Sequence, residues 1–187
     1  MTLKEAIEGC ISSDRRAQEW LYKFCYEKYF PTCYRYFNHI EQAKEMVNSG
    51  FISLLYALES YDHKLEFDPW ARRIFVNQCL DEIRAQNRHQ EKYTHLHPEA
   101  WEYVKNQVMH VPAETQSYWV WINELPETEK IVFNLFAIDG FSHKEICDQL
   151  NISERSSKRY LQQARVALKE KIEKSEKRTV KVNGDER

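Results

Sequence analysis

Apolar side chains recur every three or four residues along most of the chain, the period of an α-helix with one buried face. Leu3, Ile7 and Ile11 mark a short first helix, and Trp20, Leu21, Phe24, Cys25, Phe30 and Tyr34 mark a longer second one reaching about Asn38. Pro31 lies inside the second and predicts a kink or break near Phe30, because proline lacks the amide hydrogen that the helical ladder uses. A third helix is predicted from Ile40 to Tyr61, burying Ala43, Met46, Val47, Phe51, Leu54, Leu55 and Leu58. Gly50 is its weak point, at about 1 kcal/mol relative to alanine. Periodicity lapses from Ser60 to Pro69, a stretch ending in Asp-Pro, which predicts a loop and then a helix start. From Trp70 to about His89 the stripe returns as Trp70, Ile74, Phe75, Cys79, Leu80 and Ile83, with Arg72, Arg73, Asn77, Asp81, Arg84 and Arg88 opposite.

Between Gln90 and Pro112 the pattern dissolves into polar residues, apart from a short amphipathic patch at Trp101, Val104 and Val108. This reads as a linker, over residues 91–112, between a unit at 1–90 and a smaller one at 113–187. The second unit opens with Glu114–Glu124, and Leu125-Pro126-Glu127 then starts a helix with proline near its first turn. Ile131, Val132, Leu135 and Phe136 are its buried positions, and Asp139-Gly140 ends it. Ser142-His143-Lys144-Glu145 has the form of a capping box and begins a short helix to Leu150. After the three-residue turn Asn151-Ile152-Ser153, a long helix runs from Glu154 to at least Ile172, leaving a frayed charged tail from Glu173 to Arg187. Two helices on so short a turn, the second longer and basic, form a helix-turn-helix.

Composition supports an all-α chain of two small helical domains. Only 4 Gly and 5 Pro occur in 187 residues, too few for the turns of an all-β fold. With 42% hydrophobic and 30% charged residues, the chain can bury a core. The 5 Cys are odd in number and scattered, which reads as reduced thiols in a cytoplasm. The N-terminus carries acids early and has no apolar run, so no signal peptide is expected. No window approaches the ~18 apolar residues of a membrane span, and no direct membrane insertion is expected.

Net charge is only −2, so any nucleic-acid surface must be local. It is: residues 122–152 hold two Lys against six acids, whereas residues 153–171 hold six Lys and Arg against two Glu. On a helical wheel Ser157, Leu161, Ala164 and Leu168 share one side of the last helix. Arg155, Arg159 and Gln162 share the other, flanked by Ser156, Lys158 and Gln163. Arginine and glutamine make paired hydrogen bonds to base edges in the major groove, while lysine and serine hold phosphates. That face is the candidate DNA reader.

Two blocks together resemble the extracytoplasmic-function (ECF) sigma factors, the minimal subunits that direct bacterial RNA polymerase to promoters. HIEQAKEMVNSGFISLLYALESYD and FDPWARRIFVNQCLDEIR resemble the family's domain two, with Phe51, Phe67-x-x-Trp70 and Asn77-x-x-x-Asp81-x-x-Arg84 in register. The block from Ile122 to Ile172 resembles domain four, through Leu125-Pro126-Glu127, Gly140-Phe141-Ser142, Glu145-Ile146, Ile152-Ser153, Lys158, Leu161 and Ala164-Arg165. Three departures stand out. Asn48-Ser49-Gly50 replaces the usual Gln-Glu/Asp-Val/Ala, Arg155-Ser156-Ser157 replaces Gly-Thr-Val, and Gln163 replaces a common arginine. The second of these puts a hydroxyl where a buried valine is usual.

The resemblance implies a role for each block. The third helix, through Glu45, Asn48, Ser49 and Ile52, would dock on core RNA polymerase. Tyr61, Lys64 and Phe67 of the loop, with Arg72, Arg73, Asn77, Arg84 and Arg88, would read and melt the minus-ten element. Opening it requires a pocket for an extruded base. Arg155, Ser156, Lys158, Arg159, Gln162 and Gln163 would bind the minus-thirty-five element, and the linker would thread into the polymerase. The resemblance also implies an anti-sigma factor as partner. The main alternative is a stand-alone helix-turn-helix regulator. No enzyme is expected, since no nucleophile motif or phosphate loop occurs. No cofactor or metal is expected either, since His95-Leu96-His97 and the dispersed cysteines match no zinc spacing.

Overall fold

A computed structural model describes residues 1–89 and 113–184, with side chains over 1–86 and 118–175. The predicted linker, with Trp101, Val104, Val108 and His95-Leu96-His97, therefore lies outside the described residues, as does the side chain of Arg88. The chain divides into two compact units, residues 1–110 and 111–187. Every regular element described is helical, and among the described residues no helix is long and apolar enough to cross a membrane.

In the first unit α1 (Leu3–Ile11), α2 (Arg15–Phe37), α3 (Ile40–Ala57) and α4 (Phe67–His89) pack around one core, with a 3-10 turn at Leu58–Ser60 after α3. Local chemistry sets their ends. Thr2 and Glu5 close a capping box on α1, Asp14 accepts the Arg16 amide at 2.8 Å to start α2, and left-handed Asn38 stops it. Of the kink or break expected at Pro31, the break does not occur, since α2 continues past it. Its ring removes one rung of the ladder, but Tyr29, Phe30, Thr32, Cys33 and Tyr34 are buried on both sides of it, and that packing carries the helix through. The loop is also shorter than expected, since α4 begins at Phe67, two residues before Pro69.

Gly50 is not the weak point its helix propensity suggests. A β-carbon there would stand 2.5 Å from the Phe75 ring of α4, so the missing side chain lets α3 and α4 approach closely. Phe75 in turn stacks on Tyr29 of α2, centroids 4.5 Å apart. Cys10, Cys25, Cys33 and Cys79 are buried thiols outside any disulfide; burial pushes the Cys25 thiol up to about 12, beyond reach as a nucleophile.

The second unit comprises α5 (Ala113–Asn123), α6 (Glu127–Phe133), a π-turn (Asn134–Ile138), α7 (His143–Leu150) and α8 (Glu154–Gly184). The π-turn widens the end of α6, with the Asp139 amide reaching the Asn134 carbonyl at 2.9 Å, and Gly140 at φ +76° reverses the chain as the Asp139-Gly140 signal predicted. Val132, Leu135, Ile146 and Ala164 form the core. Asn134 is fully buried there, and both its amide atoms lack a hydrogen-bond partner among the described residues. The charged tail, expected to fray from Glu173, instead prolongs α8 to Gly184. No glycine or proline interrupts it before that residue, and Lys169 lies 3.8 Å from Glu173 one turn on.

Two stability measurements test this packing. Gly50→Ala should lower the denaturant midpoint by the equivalent of about 1–3 kcal/mol through overpacking, and Phe75→Leu in the same chain should make the added methyl cheaper. Asn134→Leu should raise the midpoint by about 1–3 kcal/mol, because it removes two unpaired buried polar atoms.

Candidate nucleic-acid and polymerase interface

On α3 the outward stripe is Glu45, Asn48, Ile52 and Tyr56, spaced three and four residues apart. Ile52 is 55% exposed and Tyr56 84%, large apolar surface that the unit leaves uncovered. Asn48 is held from behind, its Oδ1 accepting from the Tyr22 hydroxyl at 2.8 Å. Ser49 is half-buried beside this stripe. Tyr56 escaped the sequence reading because it sits inside the run Leu54-Leu55-Tyr56-Ala57-Leu58, where periodicity does not tell an outward aromatic from an inward one.

The loop residues separate into two groups. Tyr61 and Phe67 are buried. Their faces are taken by Trp70, 4.6 Å from Tyr61 and 5.6 Å from Phe67, and the Tyr61 hydroxyl donates to the Leu65 carbonyl at 2.6 Å. That bond ties the loop into a tight arch whose outer residues, Asp62, His63, Lys64, Leu65 and Glu66, are exposed. His63, which sequence reasoning missed, lays its ring edge-on against Tyr61 at 5.1 Å.

Asp68 anchors the start of α4. Its Oδ1 accepts from the Tyr29 hydroxyl at 3.0 Å and lies 3.2 Å from Lys28 Nζ, and its Oδ2 accepts from Arg72 at 3.3 Å. Burial works to raise the carboxyl pKa, but Lys28, Arg72 and Tyr29 outweigh it and hold it below the usual range. Arg72 is thus directed by an acid of its own helix, while Arg73 is exposed. Arg84 pairs with Asp81. Asn77 is half-buried, with Oδ1 shut off from solvent and lacking a hydrogen-bond partner among the described residues.

The helix-turn-helix follows from three local devices. Ser142 and Glu145 complete the capping box of α7, Asn151 at φ 52° ends it, and the Ser153 hydroxyl accepts the Ser156 amide at 3.1 Å to start α8. The wheel reading of α8 holds: Ser157, Leu161 and Ala164 are buried, while Arg155, Lys158, Arg159, Gln162 and Gln163 are exposed. Ser156 is half-buried, its hydroxyl 2.8 Å from that of Ser153, so it belongs to the cap. Lys158 pairs with Glu154 at 2.6 Å, and the Arg159 guanidinium lies over the Tyr160 ring at 4.9 Å. The outward face therefore presents an ordered set of long donors.

Residues 15–89 match the family model for sigma-70 region 2, and residues 117–168 match that for sigma-70 region 4. The chain belongs to the sigma-70 family. The ECF RNA polymerase sigma factor SigW of Bacillus subtilis is 26% identical over 84 residues, 45% of each protein, so the chain spans under half the length of that curated relative in the match. Among solved structures, the sigma factor RpoE in complex with the anti-sigma factor NepR from Bartonella quintana is similar in fold. Its TM-score is 0.54 at 14% identity, covering 83% of this chain and 96% of that one. CnrH in complex with the cytosolic domain of CnrY has a TM-score of 0.48 at 20% identity, covering 90% and 95%. The region 2 match takes in α2, α3, the loop and α4, and the region 4 match takes in the helix-turn-helix.

The Asp68 cluster makes a pH-dependent prediction. A carboxyl held low in the folded state adds stability above its unfolded pKa of about 4, and this is lost as pH falls through the folded value. In urea titrations the stability difference between wild type and Asp68→Asn should therefore be largest near neutral pH and shrink below about pH 4.

Proposed function

We propose that this chain is a sigma factor that binds core RNA polymerase and directs promoter-specific initiation. The observation that carries this reading is α8, with a polar outward face of Arg155, Lys158, Arg159, Gln162 and Gln163 backed by the buried stripe Ser157, Leu161 and Ala164. That face enters the major groove of the minus-thirty-five element, Arg155, Arg159 and Gln162 reading base edges and Lys158, Gln163 and Ser156 securing the backbone.

The division of labour is one domain at 1–90, a linker at 91–112 and a second domain at 113–187. In the first, Glu45, Asn48, Ser49 and Ile52, joined by Tyr56, meet the polymerase, with the apolar surface of Ile52 and Tyr56 as the energetic centre. Lys64 and Arg73 meet the minus-ten strand, and Asn77, Arg72, Arg84 and Arg88 support it. Asn77, half-buried on α4, carries an amide that can both donate to and accept from the edge of a flipped base. Tyr61 and Phe67 form the wall of that pocket through the Trp70 cluster. Because each domain binds DNA weakly, core polymerase confers specificity by making the second contact effectively intramolecular.

The chain acts without a catalytic site, cofactor or metal of its own, in the cytoplasm. The complex of the fold-related RpoE with an anti-sigma factor supports a similar partner here, covering these same apolar and basic faces when transcription is off.

Run-off transcription with core polymerase, this chain and sheared genomic DNA tests the reading. Wild type should produce discrete start sites. Asn77→Ala and the double variant Arg155→Ala/Arg159→Ala should each weaken them about tenfold or more, given a cost of about 1–3 kcal/mol per lost base contact. Retained duplex binding with neither polymerase binding nor initiation would replace this mechanism with that of a stand-alone regulator.

A further inference from the structure

The helix-turn-helix contains a polar pair that the outward reading face does not use. Ser157 lies fully buried on the inner side of α8, and its hydroxyl is 2.8 Å from Nδ1 of His143, the first residue of α7. The Ser157 amide is already bonded to the Ser153 carbonyl at 2.9 Å, so it is the hydroxyl that reaches across to the other helix. The imidazole stacks on Phe136 of the π-turn, centroids 4.5 Å apart and planes within 25°. Arg165, two turns beyond Ser157, lies over that same Phe136 ring at 5.7 Å. α7, α8 and the π-turn therefore meet at one imidazole.

An apolar contact at this point would tolerate rotation of α8 about its axis, because dispersion has little directionality. A hydrogen bond to a buried hydroxyl does not, since it weakens within a few tenths of an ångström and a few tens of degrees. The difference matters on the opposite side of the helix. A roll of about 20° carries a group about 6 Å from the axis through about 2 Å, enough to undo a paired hydrogen bond to a base edge. Burial, Lys158 and Arg165 depress the His143 pKa and Glu154 opposes them, which keeps the ring neutral near pH 7. Either neutral tautomer makes the bond, accepting the Ser157 hydroxyl hydrogen at Nδ1 or donating from it.

We propose that His143 and Ser157 are positioning residues for minus-thirty-five recognition, their hydrogen bond setting the roll of α8 and hence which base edges Arg155, Arg159 and Gln162 reach. The proposal rests on the sigma-factor reading above. Neither residue touches DNA in it; they act through the helix they orient.

The test is competitive run-off transcription by the holoenzyme, between a promoter with its intact minus-thirty-five element and one with a single substituted base there. His143→Ala and Ser157→Ala should each reduce the wild-type preference about tenfold, the scale of one base contact. The double variant should be no worse than the poorer single one, since both remove the same bond. His143→Asn, which keeps a hydrogen-bonding group near the Nδ1 position, should recover preference, with thermal melting followed in parallel to separate recovery of reading from recovery of folding. A His143→Ala protein with wild-type preference overturns the proposal. So do losses that multiply in the double variant, or a His143→Asn protein no better than His143→Ala at equal melting temperature. If Arg155→Ala/Arg159→Ala loses preference while His143→Ala retains it, the positioning role alone fails. If wild type shows no preference at all, the sigma-factor reading fails and the proposal with it.

Discussion

The first unit is organised around one close approach. Phe75 of α4 lies over Gly50 of α3 at a distance that leaves no room for a β-carbon, and its ring stacks on Tyr29 of α2. One aromatic side chain therefore fixes the spacing of three helices, in an interior packed as densely as an organic crystal. The two surfaces of interest derive from that junction. On α3, the stripe Glu45, Asn48, Ile52 and Tyr56 faces outward because Val47, Gly50, Phe51 and Leu54 are buried on the other side of the helix. On α4, the same packing directs Arg73 outward and leaves Asn77 half-covered. Tyr29 also donates its hydroxyl to Asp68, so the residue that stacks on Phe75 secures the start of α4 and the arch before it.

The second unit solves a related problem with a polar contact. Its core is small, and a hydrogen bond between Ser157 and His143 links the two helices of the motif. Charge is arranged around the motif, acids before the turn and bases after it, so a chain of net charge −2 still offers a basic helix face. Both units thus carry functional surface on a helix whose opposite side is held tightly, by van der Waals contact in one and by a directional bond in the other.

The helices themselves were legible in the sequence, because a 3.6-residue apolar period and capping residues are local properties. The capping box Ser142-His143-Lys144-Glu145, the turn Asn151-Ile152-Ser153 and the inner stripe of α8 all occupy the places that the pattern predicted. The resemblance to ECF sigma factors was legible for the same reason, as ordered residue types along two blocks. The tail beyond Glu173 was misjudged, and α2 runs through Pro31, because propensity is a weak term. Buried aromatics around Pro31 outweigh one lost rung, and an uninterrupted charged run keeps its helix as far as Gly184.

By itself the sequence determined the helical class, the order of elements, the division of charge and the identity of the outward donors on α8. All of these depend on residues close together along the chain. Only the tertiary structure decided that Gly50 is required by the Phe75 ring rather than tolerated, that Tyr61 and Phe67 are buried, that Tyr56 is exposed, and that Ser157 has His143 for a partner. Three of those facts are contacts between residues separated along the chain, Gly50 with Phe75, Tyr61 with Trp70 and Ser157 with His143, and the exposure of Tyr56 is what remains once α3 has packed. Periodicity assigns a residue to a face; which neighbour meets it there is set by how helices cross, and crossing is a property of the packed whole.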